Sequence, residues 1–190
     1  MICTVDESGV RHLTIESLLV EWMRNSSVSQ FTIKLARASD NVWMANMSRR
    51  LVETGLPWAW TPGRIARHIA HRDCVVLTAY VQRRGIGFAI MHFGEDAAHL
   101  NLLCVDHDRQ RKGIGRALIE WLEQSAVVAG TFDVGLEVRA NNTTARQFYR
   151  TLGYREVGQV AGYYNGTEDA IRMSHDLRRV HLERPRLGEA

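Results

Sequence analysis

The feature that most limits the folds open to this 190-residue chain is the run from His99 to Arg139. It begins as an apolar strand candidate, His99–Val105, passes through VDHDRQRKGIGR, and continues as a long amphipathic helix, Gly113–Val128, with Ile114, Ala117, Leu118, Trp121 and Leu122 on one face. Asp133–Arg139 then alternates Val134, Leu136 and Val138 against Gly135, Glu137 and Arg139, which is a strand pattern. Strand, helix and strand in that order form a crossover unit. Gly113 and Gly115 let backbone amides approach a ligand closely, and the helix N-terminus adds positive potential. The turn therefore suits a phosphate. A plain strand-to-helix turn with solvated arginines is the alternative on this segment alone. Leucine at position 118 breaks GxGxxG, and no Gly-Lys-Ser/Thr is present, so neither a dinucleotide fingerprint nor a nucleotide triphosphatase loop is supported.

The flanking pattern surrounds this unit with further strands and helices. Phe31–Leu35 reads as a short strand, and Asp40 as the N-cap of a helix carrying Trp43, Met47 and Leu51 on one face with Gly55 as its stop. Thr61 and Pro62 open a second helix through about His71. Cys74–Val81 and Ile86–Phe93 are strands joined by a hairpin-sized turn, Gln82–Gly85. Downstream, a helix from about Asn142 to Leu152 ends at Gly153, and Ala170–Ser174 supplies a last strand. The expected fold class is α/β (α+β), one domain at 31–177 with a mixed central sheet flanked by helices. Residues 1–30 form an extension in which Thr14 caps a helix with Ile15, Leu18, Leu19, Trp22 and Met23 at helical spacing. That stripe needs a cover, either the domain itself or a second copy in a homodimer, and Met23 is an alternative start. Residues 178–190 form a basic tail.

Composition removes several function classes. The longest apolar stretch, Cys74–Tyr80, is interrupted by Thr78 and is far shorter than the roughly 20 residues a membrane helix needs. Asp6, Glu7 and Glu16 stand where a secretory signal would be basic and then apolar, so a cytoplasmic location is expected. Cys3, Cys74 and Cys104 lie far apart without CxxC spacing, which points to reduced thiols and no disulfide framework. The formal net charge of +3 is too mild for a dedicated nucleic-acid binder. Its distribution is more telling, because Arg109, Arg111, Lys112 and Arg116 against Asp108 equal the whole excess within the glycine-bearing turn.

A second segment, LEVRANNTTARQFYRTLGY from Leu136 to Tyr154, joins QRKGIG at Gln110–Gly115. Together they resemble the GNAT superfamily of N-acetyltransferases. Glu137–Asn142 and Asn142–Tyr149, with the closing GYYNGTEDAIRM from Gly162 to Met173, are most similar to its ribosomal-protein-alanine N-acetyltransferase group. The resemblance covers about 31–177 and has no counterpart for residues 1–30; His107 departs from the proline usual in that group. It implies an enzyme that uses acetyl-CoA as cosubstrate and a primary amine as acceptor, with a protein or peptide α-amine favoured. It also implies that Gln110, Arg111, Lys112, Gly113, Ile114, Gly115 and Arg116 hold the pyrophosphate and that the backbone of Leu103, Cys104 and Val105 pairs with the pantetheine. Asn142 would contact the cofactor arm, Glu137 would be the general base, and Tyr149 the general acid.

Those roles agree with the chemistry. Acetylation needs an uncharged amine, so a carboxylate, directly or through water, must remove a proton from an ammonium group. A departing thiolate needs a proton, which a phenol with an ordinary pKa near 10 can supply. Strand amides near Cys104 and Val105 are candidates to steady the developing oxyanion. Plainer readings remain beside these: Glu137 as a strand carboxylate paired with Arg139 or Arg155, Tyr149 as a core aromatic, Asn142 as a helix cap. Cys104 lies in an apolar strand where thiols are usually inert, which argues against an acyl-cysteine. His68, His71 and Cys74 have metal-like spacing, but the run crosses from a helix into a strand and lacks a fourth ligand, so no metal is expected. Trp43, Trp58 and Trp60 either line an acceptor pocket or build core. Two rival functions are a small-molecule amine acetyltransferase, acting on a polyamine, amino acid or aminoglycoside, and a non-catalytic acetyl-CoA-binding module.

Overall fold

The computed structural model describes residues 31–178. The helix expected in the first thirty residues and the tail beyond 178 lie outside the described residues. Within them, seven strands form: β1 (Thr32–Leu35), β2 (Cys74–Val81), β3 (Arg84–Phe93), β4 (Ala98–Val105), β5 (Asp133–Arg139), β6 (Arg155–Tyr164) and β7 (Glu168–Asp176). They make one sheet in the order β1-β2-β3-β4-β5-β7-β6, antiparallel everywhere except between β4 and β5. Four helices cover it: α1 (Asn41–Leu51), α2 (Pro62–Ala70), α3 (Ile114–Val128) and α4 (Thr143–Arg150). The mixed sheet and its flanking helices are those expected from the residue pattern.

Apolar alternation places the layers. Met44, Ala45 and Met47 of α1 and Ile65 of α2 pack on Val76, Phe88, Ile90, Leu102 and Cys104, forming the core on one sheet face. The α3 helix buries Ile114, Leu118, Ile119, Trp121 and Leu122 and packs against β2, β3 and β4. Burying a side chain of this size stabilises the fold by about 1.5–3 kcal/mol, so each face is a substantial anchor. Asp40 does occupy the position before α1, yet its carboxylate makes no cap bond. Its backbone is already helical, at φ −85° and ψ −16°, which turns the side chain away from the first-turn amides. Instead it accepts hydrogen bonds from Arg37 N at 2.7 Å, Trp43 Nε1 at 3.1 Å and the Tyr80 hydroxyl. Thr61 caps α2 as expected, accepting from Arg64 N at 3.3 Å.

Two irregularities shape the sheet. Between β3 and β4 the register slips: Ile90 faces Leu102 while Met91 faces Leu100, leaving Asn101 as the extra residue of a bulge. The faces of β4 interchange there. His99, paired with His92, therefore shares the α1–α2 face with Leu102 and Cys104, although plain alternation would separate them. The second irregularity is the brevity of the parallel pair, which joins only Ala98 to Val134 and His99 to Gly135.

Strand β6 was absent from the residue pattern, because most of its side chains are exposed and the period-two signal is lost. It is an edge strand held by β7, which itself pairs along all of β5. No helix among the described residues is long and apolar enough to cross a membrane. At the end of α4, Gly153 has φ +98°, and a Cβ there would stand 2.7 Å from His175 Nε2. His175 is buried and its Nδ1 lies 2.9 Å from Glu123 Oε1. Gly130 has a similar φ of +80° but open space around it. Both alanine variants incur about 1 kcal/mol of left-handed strain. Gly153→Ala should lose roughly 2 kcal/mol more than Gly130→Ala, because it also displaces a buried polar pair. Denaturant midpoints measure this directly, and equal losses would contradict it.

Candidate functional site

The glycine-bearing turn has the backbone geometry of an anion cradle. After β4 come a 3-10 turn, His107–Arg109, and then Arg111 at φ +58° and Gly113 at φ +81°, two left-handed residues flanking Lys112. Alternation of this kind turns successive N–H groups toward one concavity. Gly113 stands at the N-cap of α3 without a side-chain cap bond, so the first-turn amides of this 15-residue helix remain available. Gln110 Nε2 donates to Val105 O at 3.2 Å and braces the turn against the strand it leaves. Gly115 allows α3 to approach α4: a Cβ there would lie 3.2 Å from Phe148 Cζ and 3.8 Å from Leu103 Cδ2. Arg111 and Lys112 are exposed, whereas Arg116 lies 3.5 Å from Glu120 and reaches Thr151 O at 3.5 Å. Its guanidinium thus points along α3 and α4, and only its amide faces the turn's opening.

A cleft follows from the short parallel pair. Beyond His99 and Gly135 no pairing joins β4 to β5. Asp106 N donates to Ile86 O at 2.8 Å, so by alternation the backbone groups of Cys104 also face β3, while those of Leu103 and Val105 face the open side. The carbonyl of Cys104 lies 3.0 Å from where a Gly87 Cβ would sit, which fits that direction. Of the three residues expected to pair with a pantetheine, two present backbone groups to the gap. The Cys104 thiol is buried in the α1–α2 core, and burial pushes it up to about 12, which agrees with an inert thiol.

Glu137 projects from β5 onto the α1–α2 face. Its carboxylate meets Arg172 Nε at 3.1 Å, His99 Nε2 at 2.9 Å and the Tyr163 hydroxyl at 3.5 Å, with 11% of the side chain exposed. The carboxylate is paired, as the plainer reading held, but its partners are Arg172 and His99 in place of Arg139 or Arg155. Arg139 instead donates to Thr54 O at 2.9 Å and lies 3.7 Å from Glu168, while Arg155 heads β6. Burial holds His99 below the ordinary imidazole value, with the Glu137 charge pulling the other way. His99 is thus largely uncharged at neutral pH and can accept a proton. Neither His99 nor Arg172 stood out as a site residue. The bulge reverses the face of His99, and Arg172 meets Glu137 only through β5–β7 register.

Tyr149 of α4 is buried, with ring centroids 5.3 Å from Phe148 and 5.6 Å from Tyr154. Burial, reinforced by Tyr164, raises its phenol well above the ordinary value. It stays protonated at every working pH. Tyr164 is pushed up to about 12, chiefly by burial, and its ring lies 5.0 Å from that of Tyr163. Asn142 caps α4, its Oδ1 accepting from Ala145 N at 3.0 Å, which leaves the amide nitrogen at the exposed start of the helix.

All three tryptophans are partly buried against the α1–α2 core. Trp43 packs edge-on against Tyr80 and Phe88, each at 5.9 Å, and belongs to the core. Trp58 and Trp60 are half-buried on the loop after α1, which Glu53 pins by accepting from Ala59 N at 2.6 Å and Trp60 N at 3.0 Å. Arg64 stacks over Trp60 at 4.1 Å. The sequence also gave no sign of Asp106, a buried carboxylate closing β4 that Arg84 holds at 2.8 Å.

Comparison with known proteins places this geometry among acyl-transfer enzymes. A family model described as an acetyltransferase (GNAT) domain matches residues 30–174. The chain is 42% identical over 90 residues to the [ribosomal protein bS18]-alanine N-acetyltransferase of Escherichia coli, covering 46% of this chain and 61% of that protein. The chain thus spans about three fifths of the length of these curated relatives. The crystal structure of the Escherichia coli ribosomal-protein-S18-alanine N-acetyltransferase superposes with a TM-score of 0.68 at 30% identity, over 77% of this chain and 94% of that one. An N-acetyltransferase from Thermoplasma acidophilum in complex with coenzyme A shares the fold, with a TM-score of 0.65 at 18% identity over 78% of this chain and 99% of that one.

The His99–Glu137 contact yields a direct test. Since the Glu137 charge is the one upward influence on His99, Glu137→Gln should move the His99 titration to lower pH than in the parent. Ring-resonance NMR reads that shift, and an unmoved titration would show that the two groups are uncoupled.

Proposed function

The chain belongs to the GNAT acetyltransferase family, and from that premise we propose that it acetylates the α-amine of a protein or peptide N-terminus, with acetyl-CoA as cosubstrate. The observation that supports the reading is the early parting of β4 from β5 beyond His99–Gly135, with the glycine-bearing turn following β4 and the paired Glu137 carboxylate on β5. The backbone of Arg111–Arg116 is suited to the pyrophosphate, with Arg111 and Lys112 adding charge and Gln110 bracing the turn. Leu103 and Val105 offer strand groups to the pantetheine, and Asn142 offers its amide nitrogen to the arm. Acetyl-CoA supplies an activated thioester, from which the acyl carbon passes to nitrogen as its bond to sulfur breaks.

The protein's own groups handle the two protons. Glu137, assisted by His99 and directly or through a water, takes the proton from the acceptor ammonium. Arg172 holds the carboxylate in place through its Nε at 3.1 Å. Tyr149 gives its proton to the departing thiolate. On this face Arg172 is paired with Glu137 and Arg139 with Glu168, while Arg64 stacks over Trp60. The bS18-alanine enzyme, by its name, acts on a protein alanine, which supports the same acceptor class.

An acceptor panel scored by thiol release tests the assignment. Alanine-initiated peptides should turn over faster than spermidine or aminoglycosides, and turnover on small amines alone would overturn it. Tyr149→Phe should lower kcat by about 100-fold with CoA affinity nearly unchanged. Glu137→Gln should lose most activity at the acidic end of the pH profile, where the acceptor is protonated. A variant profile that overlays the parent would remove Glu137 from the proton path.

A further inference from the structure

We propose that His68, His71, Cys74 and His92 form a site for Zn2+, or a divalent cation of similar softness, at the junction of α2, β2 and β3. The sequence offered three of these residues without a fourth ligand. The sheet supplies it, because Cys74 opens β2 directly opposite His92 of β3. Donor atoms of His71, Cys74 and His92 lie within 4.8 Å of one another. His68 Nδ1 is 3.5 Å from Cys74 Sγ. Tetrahedral zinc bonds nitrogen at about 2.0–2.1 Å and sulfur at about 2.3 Å, which sets donor atoms roughly 3.5 Å apart. The His68–Cys74 pair already has that spacing, and a closure of about 1 Å brings His71, Cys74 and His92 to it, while His68, which stands outside that cluster of three, completes the set by turning its ring toward the other two imidazoles.

The chemistry of the set selects the cation. One thiolate and three imidazoles suit zinc, cobalt or nickel and are poor ligands for magnesium or calcium, which want oxygen. Asp73, adjacent to Cys74, keeps Oδ2 4.0 Å from His71 Nδ1 and adds negative charge beside the cluster. Binding is a ligand exchange without redox change: the Cys74 S–H proton leaves to solvent as sulfur bonds the metal. Four protein ligands leave no open position, so the site is structural. It would fasten the C-terminal end of α2 to the β2–β3 hairpin. His68 carries Trp60 on its ring at 5.1 Å, and His92 is the strand partner of His99, so the clamp would stiffen the wall beside Glu137.

The test uses the untagged full chain, stripped with chelator and kept reduced. Titration with Co2+ alone should show one equivalent bound, with intense tetrahedral d–d bands and a thiolate-to-cobalt charge-transfer band that Zn2+ bleaches. Cys74→Ser should abolish the charge-transfer band, and His92→Ala should weaken binding about 100-fold or more. Cys3→Ser and Cys104→Ser should leave both unchanged. Circular dichroism verifies that each variant is folded, and Zn2+ should raise Tm in the parent but not in His92→Ala. Absence of the charge-transfer band in the parent, or its survival in folded Cys74→Ser, would overturn the site.

Discussion

The two-residue contact between β4 and β5 is the constraint on which the rest of the structure depends. Each strand is committed elsewhere, β4 to β3 along nearly its whole length and β5 to all of β7. They meet in parallel only at Ala98–Val134 and His99–Gly135 and then part. Strand groups facing such a gap need hydrogen-bond partners, which water or an extended ligand must provide. The turn after β4 leads from that gap into the start of α3. A continuous seven-strand sheet would bury those groups and leave no binding edge.

Electrostatics then distributes the roles along the gap. Amides at the α3 N-terminus and the exposed Arg111 and Lys112 make one end attractive to anions. On the α1–α2 face, Glu137 is largely withdrawn from solvent and held at a defined position by Arg172 and His99. Burial keeps the Tyr149 phenol protonated.

The loop after α1 is fixed by internal chemistry, chiefly by Glu53. Its carboxylate accepts from Ser48 Oγ at 3.0 Å and from two loop amides, so that Trp58 and Trp60 have fixed positions. Arg139 ties the end of β5 to Thr54 O in the same loop. The loop after α1 and the end of β5 are therefore joined by a polar contact between residues 85 positions apart in the chain.

Local pattern was enough for most elements. The crossover unit, the α3 face, the β5 alternation and the caps at Thr61 and Asn142 each depend on neighbours a few residues away, and they stand where the sequence places them. The glycine turn was legible for the same reason, since left-handed backbone and an uncapped helix start are local properties. Strand β6 escaped because an exposed edge strand has no hydrophobic period to read. His99, Arg172 and the fourth member of the His–Cys cluster escaped because each is a matter of register: a bulge at Asn101, the β5–β7 pairing and the β2–β3 pairing bring together residues 38, 35 and 18 positions apart. The sequence by itself determined which chemical groups were present and where all the helices and every strand but β6 would form, because these follow from short-range sterics and periodicity. Only the tertiary structure decided which groups meet, because a one-residue slip in a sheet moves a side chain to the opposite face and no local preference reports it.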